Sequence, residues 1–328
     1  KKVWSDEMLR ALDIPARLLP PLHRSSDVIG GVTEEAARAT GLLAGTPVVL
    51  GGGDGSCACV GAGVVRPGRA YNVLGSSSWI SLAAEKPLFD EEMRTFTWVH
   101  LDEKLYTPCG TMQAAGYSYS WFRDALGGEE KRLAAEQGVS AYDLLNRLAE
   151  GSAPGARGVL YLPYLLGESS PRWDHDARGA FLGLGVGTTK GDLVRAVLEG
   201  GEVPVGVGYN LKIIRDILRR SAPMDSLTVI GGGAKGRTWL QILADIWEQE
   251  LTLPRYREEA TSMGAAICAG VGLRLYPDYS VAESLNPGEE TVRPNPQNAP
   301  AYERAFARFD EAYEALRPVF ARMAEDRA

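Results

Sequence analysis

The apolar run Leu227-Thr228-Val229-Ile230 is followed directly by Gly231-Gly232-Gly233-Ala234-Lys235-Gly236-Arg237 and then by a helical pattern over 237–249. An apolar run that stops at glycines predicts a buried strand that enters a tight loop. The helix after the loop offers free N–H groups and a partial positive charge, which favour binding of an anion such as phosphate. The letters also satisfy G-x-G-x-x-G, with Glu258 about 20 residues further on, so a dinucleotide (NAD) site is an open alternative.

The same order of strand, glycines and helix occurs near residue 50. Pro47-Val48-Val49-Leu50 ends at Gly51-Gly52-Gly53, and Asp54-Gly55-Ser56 follows. A carboxylate among glycines just past a strand lies where a ligand can approach the backbone closely. Asp54 is therefore a candidate to accept a proton from a substrate hydroxyl or to help hold a metal ion. An Asx-turn or a helix N-cap is the structural alternative.

A third stretch, Leu74-Gly75-Ser76-Ser77-Ser78-Trp79, places a glycine and three hydroxyl groups between two predicted strands. A turn rich in backbone and side-chain donors can cradle a phosphate. An ordinary polar hairpin is an equally good interpretation of these residues alone.

A fourth stretch, residues 160–181, predicts a structured loop with buried aromatic side chains. Within it, Glu168, Asp174 and Arg178 are expected to form internal ion pairs. The hydrolase signature G-x-S-x-G is absent around Ser77 and Ser169, which argues against a serine hydrolase.

Composition narrows the choice of partner. Lys plus Arg number 35 against 42 for Asp plus Glu, a formal charge of −7 among 328 residues. A general binder of nucleic acid or of anionic membranes would need a basic face, so neither partner is expected.

No apolar run reaches the roughly 18 residues of a membrane span. The three histidines are far apart, so no histidine-built metal site is predicted.

The cysteines and the first residues bear on the cellular compartment. Cys57, Cys59, Cys109 and Cys268 form no pair of C-x-x-C motifs, and Cys57 and Cys59 are too close for an easy bridge. Four reduced thiols in a cytoplasmic protein are the expected state. The sequence starts at Lys1 without the apolar core of a signal peptide, and the lack of an initial Met indicates a truncated start.

The organisation of the chain predicts an α/β fold. Arg66-Pro67-Gly68-Arg69 is the clearest linker signal in the first third. Strands are predicted after it, over 70–74, 79–83, 95–100 and 104–108, and helices dominate thereafter, with the last over about 301–325. The stretch Gly201–Val207 contains a proline and glycines, which we expect to break a helix.

Taken together, the stretches resemble the FGGY carbohydrate kinases, and most closely their xylulose kinase branch. The resemblance runs from about residue 4 to 325. It is carried by the Gly52-Gly53-Asp54 and Leu74–Ser78 segments, by Ala115-Gly116-Tyr117-Ser118-Tyr119-Ser120-Trp121, by Leu162-Pro163-Tyr164 to Gly179, and by Gly231–Lys235. It implies ribonuclease-H-like lobes of the actin and hexokinase type, with ATP and sugar meeting between two lobes.

The resemblance also assigns roles. Asp54 matches the catalytic base that takes the proton of the attacking sugar hydroxyl, and Gly55 falls beside it in the sugar site. The ATP-binding positions that it implies are Gly75, Ser76, Ser77, Gly116, Ser120, Gly232, Gly233 and Arg237. Mg²⁺ would accompany ATP, held mostly by phosphates and water rather than by a protein metal site.

Three departures from the family pattern matter. Relatives often carry Asn or Gln after the base, whereas Gly55 has no side chain to hold a sugar hydroxyl. The Gly201–Val207 stretch interrupts a helix that would normally continue. The Asp-x-Gly-Thr/Ser hairpin that holds the phosphates from the other lobe has no counterpart, because Asp54-Gly55-Ser56 lies in the wrong place for it.

These departures predict two unequal parts. Residues 1–68 are expected to be a remnant of the N-terminal sugar-binding lobe that carries the catalytic Asp54, and residues 69–328 a complete C-terminal nucleotide-binding lobe. The expected function is ATP-dependent phosphorylation of a ketopentose such as D-xylulose, dependent on a missing N-terminal part. A homodimer, or pairing with that missing segment, is the expected assembly. A non-catalytic nucleotide-binding module and an NAD-binding Rossmann oxidoreductase are the alternatives.

Overall fold

A computed structural model describes residues 3–199 and 207–326. Its strands are β1 (Val28–Gly31), β2 (Pro47–Val49), β3 (Gly68–Leu74), β4 (Ser78–Leu82), β5 (Phe96–Val99), β6 (Tyr106–Met112), β7 (Leu160–Leu162), β8 (Ala180–Leu182), β9 (Met224–Ile230), β10 (Leu251–Pro254) and β11 (Gly288–Val292). Its α-helices are α1 (Asp6–Ala11), α2 (Glu34–Thr40), α3 (Asp54–Gly61), α4 (Gly116–Ala125), α5 (Gly128–Gln137), α6 (Ala141–Glu150), α7 (Lys190–Glu199), α8 (Val207–Ser221), α9 (Arg237–Trp247), α10 (Ala260–Gly272), α11 (Ala282–Leu285) and α12 (Ala299–Glu325).

Seven strands form one mixed sheet in the order β11-β10-β9-β3-β4-β6-β5. The central strand β3 is parallel to β9 and antiparallel to β4. On one side of β3 the pairs β4–β6 and β6–β5 are antiparallel, and on the other side β9 and β10 are parallel. The α/β prediction is confirmed. The sheet differs from the mostly parallel sheet on which a dinucleotide fingerprint normally lies.

Strand β3 is buried because helices cover both faces of the sheet. Successive side chains of a strand point to opposite faces. Ala70 and Leu74 accordingly belong to the large core that includes residues of α4, α7, α8, α9 and α12, whereas Tyr71 packs in a second core with residues of α3 and α10. The strand therefore joins the helix that begins at Asp54 to the helices of the larger core.

The segment before residue 51 has elements but no core of its own. Strands β1 and β2 pair antiparallel, and not one residue of 3–50 is buried. Helix α1 ends at Ala11, and a 3₁₀ turn over Ala16–Leu18 follows Pro15. Proline lacks the N–H that would continue the helix. Thr33 caps α2, since its hydroxyl accepts the Ala36 N–H at 3.1 Å.

Most predicted elements of the second part are confirmed. Strand β3 begins at Gly68, inside the predicted linker Arg66–Arg69, so the second half of that linker is strand instead, and the last helix runs over Ala299–Glu325. The predicted break at Gly201–Val207 lies outside the described residues up to 206, and α8 begins at Val207. Within the described ranges, no helix has the length and apolarity needed to cross a membrane.

Candidate nucleotide and acceptor site

The end of β3 is where the glycine-rich segments meet. Gly231 has φ +93°, and a Cβ there would lie 2.8 Å from the carbonyl oxygen of Leu74. A Cβ at Gly233 would lie 2.6 Å from Leu74 Cγ. Only glycine allows this backbone conformation together with this close approach. The loop after β9 is therefore held directly against the last residue of β3.

The turn after β3 is joined to the start of α4 by backbone hydrogen bonds. Gly116 N–H donates to the Gly75 carbonyl at 2.9 Å, and Tyr117 N–H donates to the Ser76 carbonyl at 2.9 Å. A Cβ at Gly116 would lie 2.5 Å from the Gly75 oxygen. Within the turn, Gly75 N–H donates to the Ser77 carbonyl at 3.1 Å. Two segments that are distant in sequence thus form one rigid wall.

One open cavity of about 850 Å³ lies between these segments. The sequence-predicted nucleotide residues that line it are Gly75, Ser76, Gly116, Ser120, Gly232, Gly233 and Arg237. Ser77 lies in the same turn, but it does not line the cavity. The volume suits a nucleotide-sized ligand, since ligand sites usually measure 300–1,000 Å³.

Aromatic side chains that the sequence reasoning missed line the same cavity. Tyr119 packs against Tyr142 with ring centroids 4.9 Å apart and against Trp239 at 6.1 Å. The Tyr119 hydroxyl donates to Asn146 Oδ1 at 2.8 Å. Such a group offers a planar base both stacking surfaces and an amide. Tyr142 and Asn146 belong to a helix, α6, that was predicted only as a helix, so no sequence signal marked them as site residues.

Ion pairs fix the charged residues near the glycine loop. Lys235 pairs with Glu258 at 2.6 Å, and Arg237 pairs with Glu290. Glu258 is the residue that the dinucleotide alternative would place on a ribose hydroxyl. Here it binds Lys235 of the loop itself.

Asp54 is the first residue of α3, and its carboxylate is exposed. Gly55 N–H donates to Asp54 Oδ1 at 2.8 Å, but the N-cap of α3 is Gly53 and has no side-chain cap bond, so Asp54 is not the helix cap that the structural alternative predicts. Helix α3, which Asp54 begins, packs closely against α10. A Cβ at Gly61 would lie 1.7 Å from the Ala260 carbonyl oxygen, and a Cβ at Gly264 would lie 1.8 Å from the Cys57 carbonyl oxygen. The two helices are therefore in direct backbone contact.

Asp54 does not line the nucleotide cavity, but a hydrogen bond ties its helix to the strand that leads there. The Tyr71 hydroxyl donates to the Gly55 carbonyl at 2.7 Å. Tyr71 and the Gly75 turn are four residues apart on β3, about 13 Å at the usual rise of a strand. Gly55 itself is buried and contacts the Trp98 ring.

The described residues hold no group of three or more His, Cys, Asp or Glu side chains that could bind a metal ion. An exposed carboxylate such as Asp54 suits a hard cation such as Mg²⁺, but one carboxylate is not a protein-built cage. Mg²⁺ typically keeps several waters and binds through one or two carboxylates and substrate phosphates. The residues present therefore fit a magnesium ion that is bound mainly by a nucleotide.

Glu168, expected to form an ion pair, is instead held by three neutral donors. It accepts N–H groups of Gln113 at 3.0 Å and Ser169 at 2.9 Å, and Asn210 Nδ2 donates to it at 3.0 Å. Burial raises the pKa of Glu168 to about 8.

The predicted ion pairs of Asp174 and Arg178 are replaced by hydrogen bonds. Asp174 accepts the Tyr313 hydroxyl at 2.8 Å, and Arg178 donates to backbone carbonyls. All four cysteines are buried and free.

A mixed sheet with helices on both faces, and a nucleotide-sized cavity at the end of its central strand, defines the class of actin- and hexokinase-type ATPase folds. Comparison with family models places the chain more narrowly. The model of the C-terminal domain of the FGGY family of carbohydrate kinases matches residues 70–273, and that of the N-terminal domain matches residues 1–61. The chain belongs to the FGGY family of carbohydrate kinases.

The relatives carry different names. A xylulose kinase of Staphylococcus epidermidis is 34% identical over 306 residues, which are 93% of this chain and 58% of that protein. An autoinducer-2 kinase of Salmonella paratyphi A is 34% identical over 326 residues, which are 96% of this chain and 59% of that protein. The crystal structure of a ligand-bound xylulose kinase from Lactobacillus acidophilus superposes with a TM-score of 0.87 at 25% identity, covering 98% of this chain and 62% of that one.

Two expectations change with these findings. Both FGGY domain models match, so the description of residues 1–68 as a mere remnant is wrong: they match the N-terminal domain in its own right. The chain nevertheless spans just under 60% of the length of these curated relatives. The Rossmann oxidoreductase alternative is also wrong, because both the sheet and the family match are those of an FGGY kinase.

Proposed function

We propose that this protein transfers a phosphoryl group from ATP to a hydroxyl of a sugar or polyol, most closely a ketopentose such as D-xylulose. The observation that carries the proposal is the convergence of the three glycine-bearing segments on one cavity, with the Asp54 helix tied to the same strand. The name of the Staphylococcus epidermidis relative favours a ketopentose.

The cavity residues divide into two sets in this proposal. Ser76 holds the phosphates through its N–H and hydroxyl donors, in the turn that Gly75 and Ser77 form by the bond between the Gly75 N–H and the Ser77 carbonyl. The others, on α4 and in the loop after β9, bind the nucleoside: Gly116, Ser120, Gly232, Gly233 and Arg237. The aromatic group around Tyr119 supplies the stacking surface for the base.

Asp54 is the proposed general base, and Gly55 lies beside it in the acceptor site. Its exposed carboxylate at the start of α3 can accept the proton of the attacking hydroxyl. This is modest work, because phosphoryl transfer depends mainly on positioning and charge neutralisation. Mg²⁺, when bound with ATP, supplies the charge neutralisation.

We further propose that residues 1–68 belong to a sugar-binding lobe and residues 69–328 to a nucleotide-binding lobe, and that activity requires a further N-terminal segment, since these relatives are longer than this chain. Residues 3–50 bury no side chain, and Leu43, Val3 and Leu12 are 81%, 65% and 63% exposed. A two-stranded sheet with no covering layer is marginal in water. The further N-terminal segment that we propose is the partner that would cover this surface.

The test is a panel of sugars and polyols assayed for ADP release. It is run on residues 1–328 alone and on a complemented form, defined as this chain joined to the segment of the Staphylococcus epidermidis xylulose kinase that it does not match. We expect ketopentose-dependent ADP release by the complemented form and at least 100-fold slower release by the chain alone. Asp54→Ala in the complemented form should abolish this release, with ATP affinity kept within about threefold.

The outcomes separate the alternatives. ATP binding in calorimetry without sugar-dependent ADP release by the complemented form would identify a non-catalytic nucleotide-binding module. A normal rate from residues 1–328 alone would refute the need for a further N-terminal segment. Full activity of Asp54→Ala would refute its role as base.

A further inference from the structure

The space next to the proposed base is filled by an aromatic ring. A Cβ built on Gly55 would lie 2.3 Å from Trp98 Cζ3 and 2.7 Å from Cε3. The six-membered part of the indole therefore packs directly on the backbone of the residue that follows Asp54. No side chain longer than a hydrogen atom fits at position 55 while Trp98 stays where it is.

Neighbouring aromatic rings hold Trp98 in this position. Its ring lies edge-on to Trp79, with centroids 6.3 Å apart and planes at 77°, and is 5.3 Å from Phe96. Trp79 is fixed in turn, since its Nε1–H donates to the Tyr71 hydroxyl at 3.0 Å. Trp98 is only half-buried on the edge strand β5, so part of this residue is exposed.

This packing changes the chemistry beside Asp54. An Asn or Gln at position 55 would present an amide to a substrate hydroxyl, whereas Gly55 and Trp98 present hydrocarbon. A hydroxyl placed against a ring loses its hydrogen bonds to water without regaining them, which costs binding energy. A methyl or methylene group at the same place gains from burial instead.

We propose that Trp98 is a specificity-determining residue, which makes one side of the acceptor site apolar and selects a deoxy- or methyl-bearing ketose or polyol over its fully hydroxylated counterpart. The inference rests on the proposed kinase function and adds the class of acceptor to it. Phosphoryl transfer itself is unchanged: the acceptor hydroxyl gives its proton to Asp54 and its oxygen bonds to the γ-phosphorus as ADP leaves.

Acceptors that differ by one hydroxyl provide the test. The kcat/KM values of the complemented form are compared for D-xylulose with 1-deoxy-D-xylulose, and for glycerol with 1,2-propanediol. We expect the deoxy compound to be preferred at least tenfold in one or both pairs. Trp98→Ala should reduce that preference at least fivefold, with the KM for ATP within twofold of the parent value.

A double variant makes the test two-sided. Trp98→Ala with Gly55→Asn clears the ring and restores an amide, so the preference should move toward the hydroxylated acceptor by at least a further fivefold. Trp173→Phe is the matched control, because this half-exposed indole bonds Met93 instead, and its acceptor ratios should equal those of the parent. Thermal unfolding of each variant verifies that it folds.

The two proposals fail differently. The role of Trp98 would be overturned if hydroxylated acceptors had equal or higher kcat/KM than their deoxy counterparts. It would also be overturned if a folded Trp98→Ala variant kept the parent acceptor ratio. Either result would leave the kinase function intact. Absence of phosphorylation with every acceptor would overturn both.

Discussion

The hydroxyl of Tyr71 donates a 2.7 Å hydrogen bond to the carbonyl oxygen of Gly55, the residue after Asp54. Tyr71 lies on β3, the strand that ends at Leu74 and leads into the Gly75 turn. The same oxygen of Tyr71 accepts Trp79 Nε1–H at 3.0 Å. One buried hydroxyl thus couples the proposed base, the aromatic wall beside it and the strand that carries the proposed phosphate turn.

Tyr71→Phe removes that coupling without changing the shape of the core. We expect the free energy of unfolding to fall by about 1–3 kcal/mol, because two buried groups lose their partner. In the complemented form, kcat should fall at least fivefold while ATP affinity stays within twofold. Urea unfolding, calorimetry and the ADP assay measure these effects.

Tyr256→Phe is the control for this substitution, since Tyr256 is 41% exposed. It should match the parent in all three measurements. A Tyr71→Phe variant with unchanged kcat would show that the hydrogen bond to Gly55 does not position Asp54.

Gly116→Ala should weaken ATP binding at least tenfold. Its Cβ would lie 2.5 Å from the Gly75 oxygen, so the turn and the start of α4 must move apart. Gly128→Ala is the matched control, because a Cβ there meets no atom within 4 Å. Calorimetric titration of both variants with ATP is the measurement, and equal affinities would contradict the proposed phosphate turn.

Gly264→Ala tests the backbone contact between α3 and α10. The added methyl group would lie 1.8 Å from the Cys57 oxygen, so α3 must shift. We expect overpacking to lower the free energy of unfolding by about 1–3 kcal/mol or more. In the complemented form kcat should fall further than ATP affinity, because Asp54 begins the displaced helix.

Ala265→Ser on the exposed side of the same helix serves as its control, with stability expected to remain within about 0.5 kcal/mol. The proposal that α10 sets the position of Asp54 fails if Gly264→Ala is destabilised but turns over normally.

Glu168 predicts a stability that decreases as the pH rises. Burial raises the pKa of the folded-state carboxyl from 4.5 to about 8, so the unfolded chain loses this proton first. Between about pH 4.5 and 8 the folded state binds more protons than the unfolded state, and the contribution of this group to the free energy of unfolding falls with pH.

Glu168→Gln removes the titrating group while keeping an oxygen for the Gln113 and Ser169 N–H groups. Chemical denaturation at pH 5, 6, 7 and 8 should show a flatter profile for the variant than for the parent. Parallel profiles would mean that Glu168 is ionised throughout this range in the folded protein.

The sequence by itself determined the α/β class and pointed to segments that the fold brings together around one cavity. This was possible because glycine loops after strands have few conformations, and their chemistry is local. Seven of the eight predicted nucleotide residues line one cavity, and only Ser77 of that set does not. The family resemblance rested on the order of these same segments.

The tertiary structure alone decided which side chains surround those segments. Tyr142 and Asn146 reach the cavity from a helix without a motif, and Trp98 reaches Gly55 from the far edge of the sheet. The physical reason is that glycine has no side chain, so its sequence signal marks where an approach is permitted and not which residue approaches. The packing of β3, β5 and α3 makes that choice.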